Sequence, residues 1–475
     1  MKNIIAFLIL LGTNVITIAQ NYGNWSEIDS MNIPRIYHSM VVLPDGNILV
    51  SGNEDETIQA SCEIYDMSTD KWRYTTPMNG PRADHNTVLL NTGKVLAIGG
   101  YKERSCELFD PETETWTMTD SIPTYRYFGQ TVTTLKDGNI LVCGGMFIDT
   151  ATWDSHILRN AEIYNPVSEK WTEVAPMNLG RMNHTATLLS DGKVLVVGGL
   201  TDNLTTNKCE IYDPLLDTWE LGAPINEKRS RHAAILLNNG NVFVSGGGND
   251  EYPLLNSCEV YNVNSNEWTS ADNMLFYRKG HHIYYLKSFD KLLILGSGTL
   301  EFGEETWEIY DPNSLEPLYY EAFPIKQILG DNNIQLSNEN IFVAGGWEYF
   351  YFPLLAKIPT RRTWIFDVLT DIAEGNGNYV SDFHLEQNYP NPFNPSTTIS
   401  YMLQSSASVK LVVFNTLGKE IAVLVNREQS SGTYTVNFDA KNLSSGIYYY
   451  QLTILNDGIN AEKTFRQTKK MVLIH

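Results

Sequence analysis

The chain has 475 residues, of which 43% are apolar and 19% are charged, and this composition excludes an intrinsically disordered protein. Acidic residues outnumber basic ones by 55 to 34, so the formal net charge is -21. A surface of this sign repels polyanions on average, which disfavours nucleic acid and anionic lipid as partners.

The N-terminal residues have the pattern of a secretory signal peptide. Lys2 is followed by an apolar run from Ile4 to Leu11, and a small residue stands at Ala19. We therefore predict a signal peptide over residues 1–19. No apolar segment reaches the roughly 20 residues that a bilayer-spanning helix needs, so we expect no transmembrane segment.

The cysteines do not have the spacing of a disulfide framework. Most of them stand immediately before the glutamate of a repeated E-x-aromatic strand, at equivalent places in different repeats. We expect equivalent places in neighbouring repeats to be too far apart to bridge. The sequence therefore predicts buried, unpaired thiols at Cys62, Cys106, Cys143, Cys209 and Cys258.

A repeat of about 50 residues runs through most of the chain. Segments such as HSMVVLPDGNILVSGN and HTATLLSDGKVLVVGG each predict a β-hairpin, with a tight turn at a pair such as Asp45-Gly46. A glycine pair ends the second strand, and because no helix follows it, the pair is not a phosphate loop. Five clear copies are followed by two weaker ones, from His281 and from Asn332, which makes seven.

Each repeat continues with two more strands. The third has sequences such as CEIYD, and the fourth contains a tryptophan that is followed by an arginine ten residues later. Trp25 and Arg35 keep this spacing although no repeat precedes them, whereas the seventh copy has no fourth-strand tryptophan. We therefore predict that the segment near Trp25 supplies the outer strand of the seventh repeat and closes a ring.

The glycine pair, the E-x-Tyr strand and the tryptophan, at this period, resemble the Kelch family. The resemblance covers residues 23 to about 370 and implies a seven-bladed β-propeller, which we place at residues 20–372. The sequence departs from the pattern at Asn53, at the Gly-Ser-Gly of residues 296–298, and at Pro317 in place of the blade-six tryptophan. Because of these departures, blades six and seven match least well.

The composition changes after a linker at residues 373–382. Alternating strands separated by turns predict a small β-sandwich over residues 383–475. The segment resembles the C-terminal sorting domain of the type IX secretion system, and an ordinary Ig-like module is the alternative. The resemblance rests on Asn388, Tyr389, Pro390, Asn391, Pro392, Phe393, Asn394, Pro395 and Lys470.

The two resemblances together give an all-β fold class, a seven-bladed Kelch-type β-propeller followed by a small Ig-like β-sandwich. The sorting-domain resemblance implies export by the type IX secretion machinery and removal of the domain by its sorting protease. It also implies a location that is secreted or on the outer cell surface of a Gram-negative bacterium.

In the Kelch family the loop before each first strand lies near the central channel. The resemblance therefore implies a ring of arginines at the channel mouth, each followed three residues later by a histidine in most blades. Such a ring suits a carboxylate or sulfate. We favour a structural role instead, because residues that recur in every blade more often fix blade junctions. The arginines are Arg35, Arg82, Arg126, Arg181, Arg229 and Arg278, and the histidines are His38, His85, His184, His232 and His281.

Neither a metal nor another cofactor is predicted, because residues spread around a ring do not converge on one ion. Tyr37 and His38 resemble the adjacent copper ligands of copper radical oxidases. That family takes its third histidine from an additional C-terminal domain, whose place the sorting domain has here. We find no Gly-x-Ser-x-Gly elbow and no His-Glu-x-x-His motif, so no catalytic residue is assigned.

Loops that differ between blades are better candidates for a binding site than repeated residues. The loop after the blade-three glycines contains Trp153, and the loop after the blade-seven glycines contains Trp347, Tyr349 and Tyr351. Dense aromatic residues suit stacking on sugar rings or contact with a protein, or they plug the ring where it closes.

The function that these features favour is a secreted or surface-attached binding protein that recognises a glycan or a surface protein, without catalysis. The alternative is a carbohydrate-active enzyme, either a Kelch-type sialate epimerase that uses the arginine ring or a copper radical oxidase.

Overall fold

The structure is a computed structural model, and the chain divides into two compact units, Met1–Thr370 and Asp371–His475. Every regular element among the described residues is a β-strand. The predicted signal peptide, residues 1–19, lies outside them. The described residues are 22–55, 57–101, 103–148, 152, 154–202, 204–296, 306–323, 327–328, 332–350, 356–368, 383–385, 388, 390–391, 393–403, 407–415, 419–430, 432–441, 443–456 and 463–474.

Among its described residues the first unit contains eight antiparallel sheets, and seven of them are the blades of a propeller. The first described strand is β1 (Gly23–Ile28). Blade one has β2 (Ser39–Val42), β3 (Ile48–Asp55), β4 (Thr57–Asp66) and β5 (Lys71–Thr75), and blade two has β6 (Asn86–Leu89), β7 (Val95–Ile98), β8 (Cys106–Asp110) and β9 (Thr115–Thr119). Blade three has β10 (Phe128–Thr134), β11 (Ile140–Ile148), β12 (Ser155–Ile157), β13 (Ala161–Asn165) and β14 (Lys170–Val174).

Blades four to six repeat the four-stranded pattern. Blade four has β15 (Thr185–Leu188), β16 (Val194–Val197), β17 (Cys209–Asp213) and β18 (Thr218–Gly222), and blade five has β19 (Ala233–Leu236), β20 (Val242–Ser245), β21 (Cys258–Asn262) and β22 (Glu267–Ala271). Blade six has β23 (His282–Leu286), β24 (Lys291–Leu295), β25 (Thr306–Asp311) and β26 (Glu316–Ala322). Pro317 lies on β26 opposite Tyr310, where the strand pairing shifts its register.

Blade seven is built from both ends of the propeller. Its order is β1-β32-β29-β28, and a separate three-stranded sheet has the order β27-β30-β31. The strands are β27 (Gln327–Ile328), β28 (Asn333–Gln335), β29 (Ile341–Ala344), β30 (Trp347–Phe350), β31 (Ala356–Pro359) and β32 (Thr363–Val368). β1 pairs with β32 from Gly23 to Ile28, and the Trp25 ring contacts Phe323 and Phe366 with centroids 4.5 and 5.1 Å apart.

The hydrophobic cores lie between the blades. One core joins Leu49 and Ile64 of blade one to Val95, Phe109 and Trp116 of blade two. The indole N–H of Trp116 also donates to the carbonyl oxygen of residue 76, at 3.1 Å, so the fourth-strand tryptophan packs and bonds against the preceding blade. The five cysteines are buried and unpaired, as their placement predicted.

Among its described residues, the second unit contains two sheets that share one core. The orders are β33-β34-β37 and β36-β35-β38-β39. Ile399 and Tyr401 of the first sheet pack with Leu411, Leu452 and Met471 of the second. The strands are β33 (Phe383–Leu385), β34 (Ser396–Leu403), β35 (Ala407–Asn415), β36 (Glu420–Gln429), β37 (Gly432–Asp439), β38 (Gly446–Asn456) and β39 (Lys463–Leu473).

Removing β1 is expected to lower the melting temperature of the propeller sharply, because β32 would then be an unpaired edge and the aromatic contacts of Trp25 would be lost. The single change Trp25→Ala is expected to cost about 3 kcal/mol of unfolding free energy. Thermal and urea unfolding measure both effects, with Ser26→Ala on the exposed side of the same strand as the control. An unchanged melting temperature after deletion of β1 would contradict closure by this strand.

Candidate functional site

The six repeated arginines are buried, and each forms an ion pair with the glutamate on the third strand of its own blade. In blade two, Nη2 of Arg82 lies 2.9 Å from Oε1 of Glu107, and neither side chain is exposed. A buried charge needs such a partner because its desolvation costs several kcal/mol. The pairs are Arg35–Glu63, Arg82–Glu107, Arg126–Glu162, Arg181–Glu210, Arg229–Glu259 and Arg278–Glu308.

The guanidinium donors of Arg82 are used within its own blade. Nη1 donates to the carbonyl oxygens of Gly99 and Ser105, both at 2.7 Å, while Nε and Nη2 donate to Glu107. The other oxygen of Glu107 accepts the backbone N–H of Asn79 at 2.7 Å. The arrangement recurs in blades one and four. These contacts account for the recurrence of the arginines without a ligand.

The first glycine of a pair lies in close contact with the backbone of the next blade. Gly144 and Gly198 have φ of 65° and 60°. A Cβ on either would lie 2.4 Å from a carbonyl oxygen, that of Arg181 or of Arg229 respectively. Any side chain here would push two blades apart. The repeated arginine therefore links two blades, because its side chain holds its own blade and its carbonyl rests on the glycine of the preceding one.

The repeated histidines are also buried between blades. Nε2 of His85 lies 2.8 Å from Oγ of Ser51 in the preceding blade. Burial, helped by the neighbouring arginine, lowers the pKa of both His85 and His184 to about 3, so both rings are neutral at physiological pH. In blade three Gln130 has the equivalent place, against the second glycine of its own blade.

The surroundings of Tyr37 and His38 do not fit a copper centre. His38 is buried, and its Nε2 lies 3.0 Å from the carbonyl oxygen of Ala344 in blade seven, an inter-blade contact like those of the other histidines. Tyr37 is instead 49% exposed. Within the part of the chain that the structure describes, no group of three His, Cys, Asp or Glu residues is placed to hold a metal ion.

The residues that precede the inter-blade histidines, or Gln130 in blade three, form a ring at the channel mouth, and backbone hydrogen bonds join four pairs of neighbouring members. The first strands of neighbouring blades contact one another around the axis, so this ring surrounds one end of the channel. We call it the mouth ring, and its members have φ between 52° and 78°. The bonds run from Asp84 N–H to Tyr37 O (2.9 Å), Asn183 N–H to Gly129 O (2.8 Å), Arg231 N–H to Asn183 O (2.9 Å) and Gly280 N–H to Arg231 O (2.7 Å).

The mouth ring combines one backbone shape with different side chains. A positive φ costs a residue other than glycine about 1 kcal/mol, yet Tyr37 and Arg231 keep it. Both of these side chains are exposed. Strained backbone of this kind clusters at functional sites, and we therefore identify the mouth ring as the candidate site. Apart from Tyr37, sequence reasoning missed these residues, although a variable position between repeated neighbours was a usable signal.

Two insertions stand on the mouth side of the propeller, because both join a second strand to a third strand. One is β30 and β31 in blade seven, and the other includes β12 in blade three. These blades lie on opposite sides of a sevenfold ring, so their insertions give the mouth two walls. Trp153, in the blade-three insertion, lies outside the described residues.

The blade-seven wall contributes Trp347 to the mouth. Its ring meets the ring of Tyr37 edge to face, with centroids 6.4 Å apart. The backbone N–H of Gly346 donates to the carbonyl oxygen of Arg35 at 2.8 Å, which fixes the wall against blade one. We call Tyr37 and Trp347 the aromatic rim. Tyr349 lies on the same strand as Trp347, and Tyr351 lies outside the described residues.

The blade-three side of the mouth has a second group of partly exposed aromatic residues. Tyr101 and Tyr127 meet with ring centroids 4.9 Å apart, and Tyr125 and Phe147 with centroids 5.4 Å apart. The exposed ring of His156, on β12, stacks on Phe147 at 6.1 Å. Aromatic surface therefore occurs on both sides of the mouth, and only the blade-seven side was singled out from the sequence by its aromatic density.

The sorting motif ties the start of the second unit to its last strand. Asn388 is buried; its N–H donates to the hydroxyl of Tyr450 at 2.7 Å and its side-chain amide donates to Thr397 at 2.9 Å. Phe393 is in the core and bridges to Leu473. Pro390 and Pro395 accept hydrogen bonds through their carbonyl oxygens, from Asn388 and Ala440, and the side chain of Asn391 accepts the N–H of Val472. Asn394 is exposed, Lys470 lies on β39, and Tyr389 and Pro392 lie outside the described residues.

Replacing Arg82 by methionine is expected to destabilise the propeller by about 3–5 kcal/mol, because Glu107 would remain buried without a partner. The double variant Arg82→Met/Glu107→Leu is expected to lose less, since it buries no unpaired charge. Urea unfolding measures both, and Arg73→Met, which breaks the exposed pair with Glu114, is a control expected to lose at most about 1 kcal/mol. Equal losses for Arg82→Met and Arg73→Met would contradict the structural role.

The buried histidines predict that acid destabilises the propeller. The pKa of His85 is about 3 in the folded chain against 6.5 for an ordinary histidine, so the unfolded chain binds more protons between these values and stability falls as pH is lowered through them. His85→Gln, which copies blade three, is expected to make the fall in melting temperature between about pH 7 and pH 4 shallower. His156→Gln makes the same substitution at an exposed histidine and is the matched control. Parallel slopes for wild type and His85→Gln would contradict the prediction.

Comparisons with known proteins agree with this architecture. The family model of the KLHDC2/KLHL20/DRC7 Kelch-repeats domain matches residues 85–297. Kelch-like protein 15 of Homo sapiens is 27% identical over 201 residues, 38% of this chain, and Kelch-like protein 24 of Rattus norvegicus is 33% identical over 102 residues, 22% of this chain. The matches span only 33% and 15% of the length of these curated relatives.

Among solved structures, a fungal alcohol oxidase of the AA5 family in complex with copper superposes with a TM-score of 0.57 at 15% identity, covering 94% of this chain and 99% of the oxidase. This likeness supports the fold alone. Among the described residues, no helix is long and apolar enough to cross a membrane.

The second unit has its own match. The model of the secretion system C-terminal sorting domain covers residues 387–472, and this domain indicates export by the type IX secretion system, to the cell surface or out of the cell. The two matches lie on the two separate units. The chain is thus a Kelch-repeat β-propeller joined to a type IX secretion sorting domain.

Proposed function

We propose that the exported propeller is a binding protein that recognises a glycan at its mouth, with the aromatic rim as the first contact. The observation that supports this is the pairing of exposed Tyr37 with Trp347 on a strained backbone at the channel entrance. Aromatic rings offer an apolar face that sugar rings can cover, with polar groups of the sugar bonding around them.

The shape of the mouth supports one extended ligand rather than seven equivalent ones. The repeated arginines and histidines are buried, so the sevenfold pattern does not reach the surface. The exposed mouth-ring side chains differ from blade to blade, and the two walls restrict access from two sides. An oligosaccharide that crosses the mouth from the aromatic rim towards the group around Phe147 would contact aromatic surface at both ends.

The enzyme alternatives have less support. The sialate epimerase alternative relied on Arg35 and the other repeated arginines, which are buried and whose Nη donors bond inside the blades. The copper oxidase alternative relied on Tyr37 and His38, whose surroundings do not fit a copper site. Metal analysis of the purified mature protein tests the latter directly: stoichiometric copper would reinstate it.

In the wider proposal, the type IX machinery carries the folded propeller out and its sorting protease removes the second unit. The closed ring supports this, because its closing strands β1 and β32 both belong to the first unit. The propeller would then function alone or attached to the cell surface.

Binding to a glycan array and to isolated surface polysaccharides tests the proposal, with the affinity of each hit measured by calorimetry. Tyr37→Ala and Trp347→Ala are each expected to weaken binding by about tenfold or more, because hot-spot aromatic residues contribute on the order of 2 kcal/mol. Tyr74→Ala, at an exposed tyrosine on the outer strand β5, is the control and is expected to bind as wild type does.

Two results would contradict this proposal. One is that no glycan binds while a surface protein does. The other is that a glycan binds with equal affinity to wild type, Tyr37→Ala and Trp347→Ala, which would place the site elsewhere. Circular dichroism of each variant shows whether the propeller remains folded.

A further inference from the structure

The mouth ring has a positively charged side next to blades five and six. Arg231 is exposed, and its carbonyl oxygen accepts the N–H of Gly280 at 2.7 Å, which brings the chain at Lys279 beside it. Nζ of Lys279 lies over the backbone of Gly248, 3.4 Å from where a Cβ there would stand. The two cations therefore belong to adjacent loops at one edge of the mouth.

Neither cation has an acidic partner among the described residues. Burial and then the positive charge of Arg231 lower the pKa of Lys279, and no carboxylate opposes this effect. The acidic residues on the same loops are engaged elsewhere. Glu227 accepts a hydrogen bond from Ser257 and lies 3.8 Å from Arg229, and Glu251 hydrogen-bonds Tyr252.

Two like charges held close together, one of them partly buried, destabilise the free protein. On a chain of net charge -21, acidic residues to neutralise them are abundant, yet none is placed there. Such an uncompensated pair costs free energy that an anion from outside would recover. The backbone at Arg231 is also strained, with φ of 52°, so the position is held by the surrounding structure.

Exposed aromatic residues stand on the loops that carry Lys279 and Gly248. Tyr252 follows Gly248 in the loop of blade five, and Tyr277 stands two residues before Lys279. A cation beside an exposed aromatic ring suits a sugar that carries an acidic group, because the ring takes the apolar face of the sugar and the cation takes the charge.

We propose that Arg231 and Lys279 form an anion subsite, and that the glycan bound at the mouth is an anionic polysaccharide whose carboxylate or sulfate groups they hold. This inference rests on the proposed function and adds the chemical class of the ligand. The subsite is distinct from the six buried arginines, because Arg231 is two residues beyond Arg229 and faces solvent while Arg229 does not.

The test compares three oligosaccharides of equal length, an oligouronate, a sulfated oligosaccharide and a neutral one, bound to the full mature chain. The anionic ligands are expected to bind tighter than the neutral one and to lose affinity as salt rises. Arg231→Gln and Lys279→Gln are each expected to weaken anionic binding by about tenfold, and to weaken neutral binding much less, so that the preference for the anionic ligands is lost. The oligouronate and sulfated arms show which anion is held.

The matched control is Lys71→Gln/Lys170→Gln, which removes the same charge as the double variant Arg231→Gln/Lys279→Gln. These two lysines are largely exposed at the other end of the blades, after the turns that join third and fourth strands. If the two double variants weaken anionic binding equally, the subsite is overturned, because the loss of affinity would then come from the change in net charge alone.

Equal affinity for neutral and anionic oligosaccharides would also overturn the subsite. If the neutral and anionic sugars bind with equal affinity and Tyr37→Ala abolishes the binding of both, the proposed function stands and this inference alone fails. If no oligosaccharide binds and an acidic protein is bound instead, both fail. Circular dichroism and melting temperatures of Arg231→Gln and Lys279→Gln exclude unfolding as the cause of any loss.

Discussion

The buried ion pair between arginine and glutamate is the interaction on which the rest of the propeller depends. The pair stabilises the fold through the hydrogen bonds around the guanidinium and not through the attraction of the charges alone, because removing two ions from water is costly in itself. In blade two those bonds join the loop before the first strand, the end of the second strand and the start of the third. One side chain therefore fixes the three segments that form the mouth side of each blade.

The same pair decides what the mouth can do chemically. Because the six arginines are buried and paired inside the blades, they contribute rigidity and not surface charge. The strain at Tyr37 and Arg231 is tolerated because the arginine two residues earlier anchors the loop on one side and the inter-blade histidine anchors it on the other. Structural residues that repeat thus support exposed residues that vary.

Much of the fold followed from the sequence because its signals are local. Turn glycines, glycine pairs and period-two strands act within a few residues, and each predicts a hairpin wherever it lies. The ten-residue spacing from Trp25 to Arg35 is also a local signal, and it indicated the strand that closes blade seven. Side-chain burial was harder, because Arg82 is buried by Glu107 and by Ser105, more than twenty residues away. A glutamate recurs on the third strand of six blades, and an arginine recurs before the first strand of the same six blades. The shared recurrence was the sequence signal that the two residues form a pair.

The candidate site was only partly predictable, for a related reason. Aromatic density drew attention to Trp347, but its partner Tyr37 lies at the other end of the propeller sequence and meets it only because the ring closes. Arg231 and Lys279 are likewise separated in sequence and become neighbours through one backbone bond at Gly280.

Net charge also says less about this site than about the surface as a whole. At physiological ionic strength charges separated by more than about 8 Å are largely screened, so a ligand at the mouth experiences mainly the nearest side chains. A protein that repels polyanions on average can therefore attract an anionic group at one place, provided that its own carboxylates are held away from that place. The engagement of Glu227 and Glu251 with their own loops does this, and the anion subsite proposed at Arg231 and Lys279 depends on it.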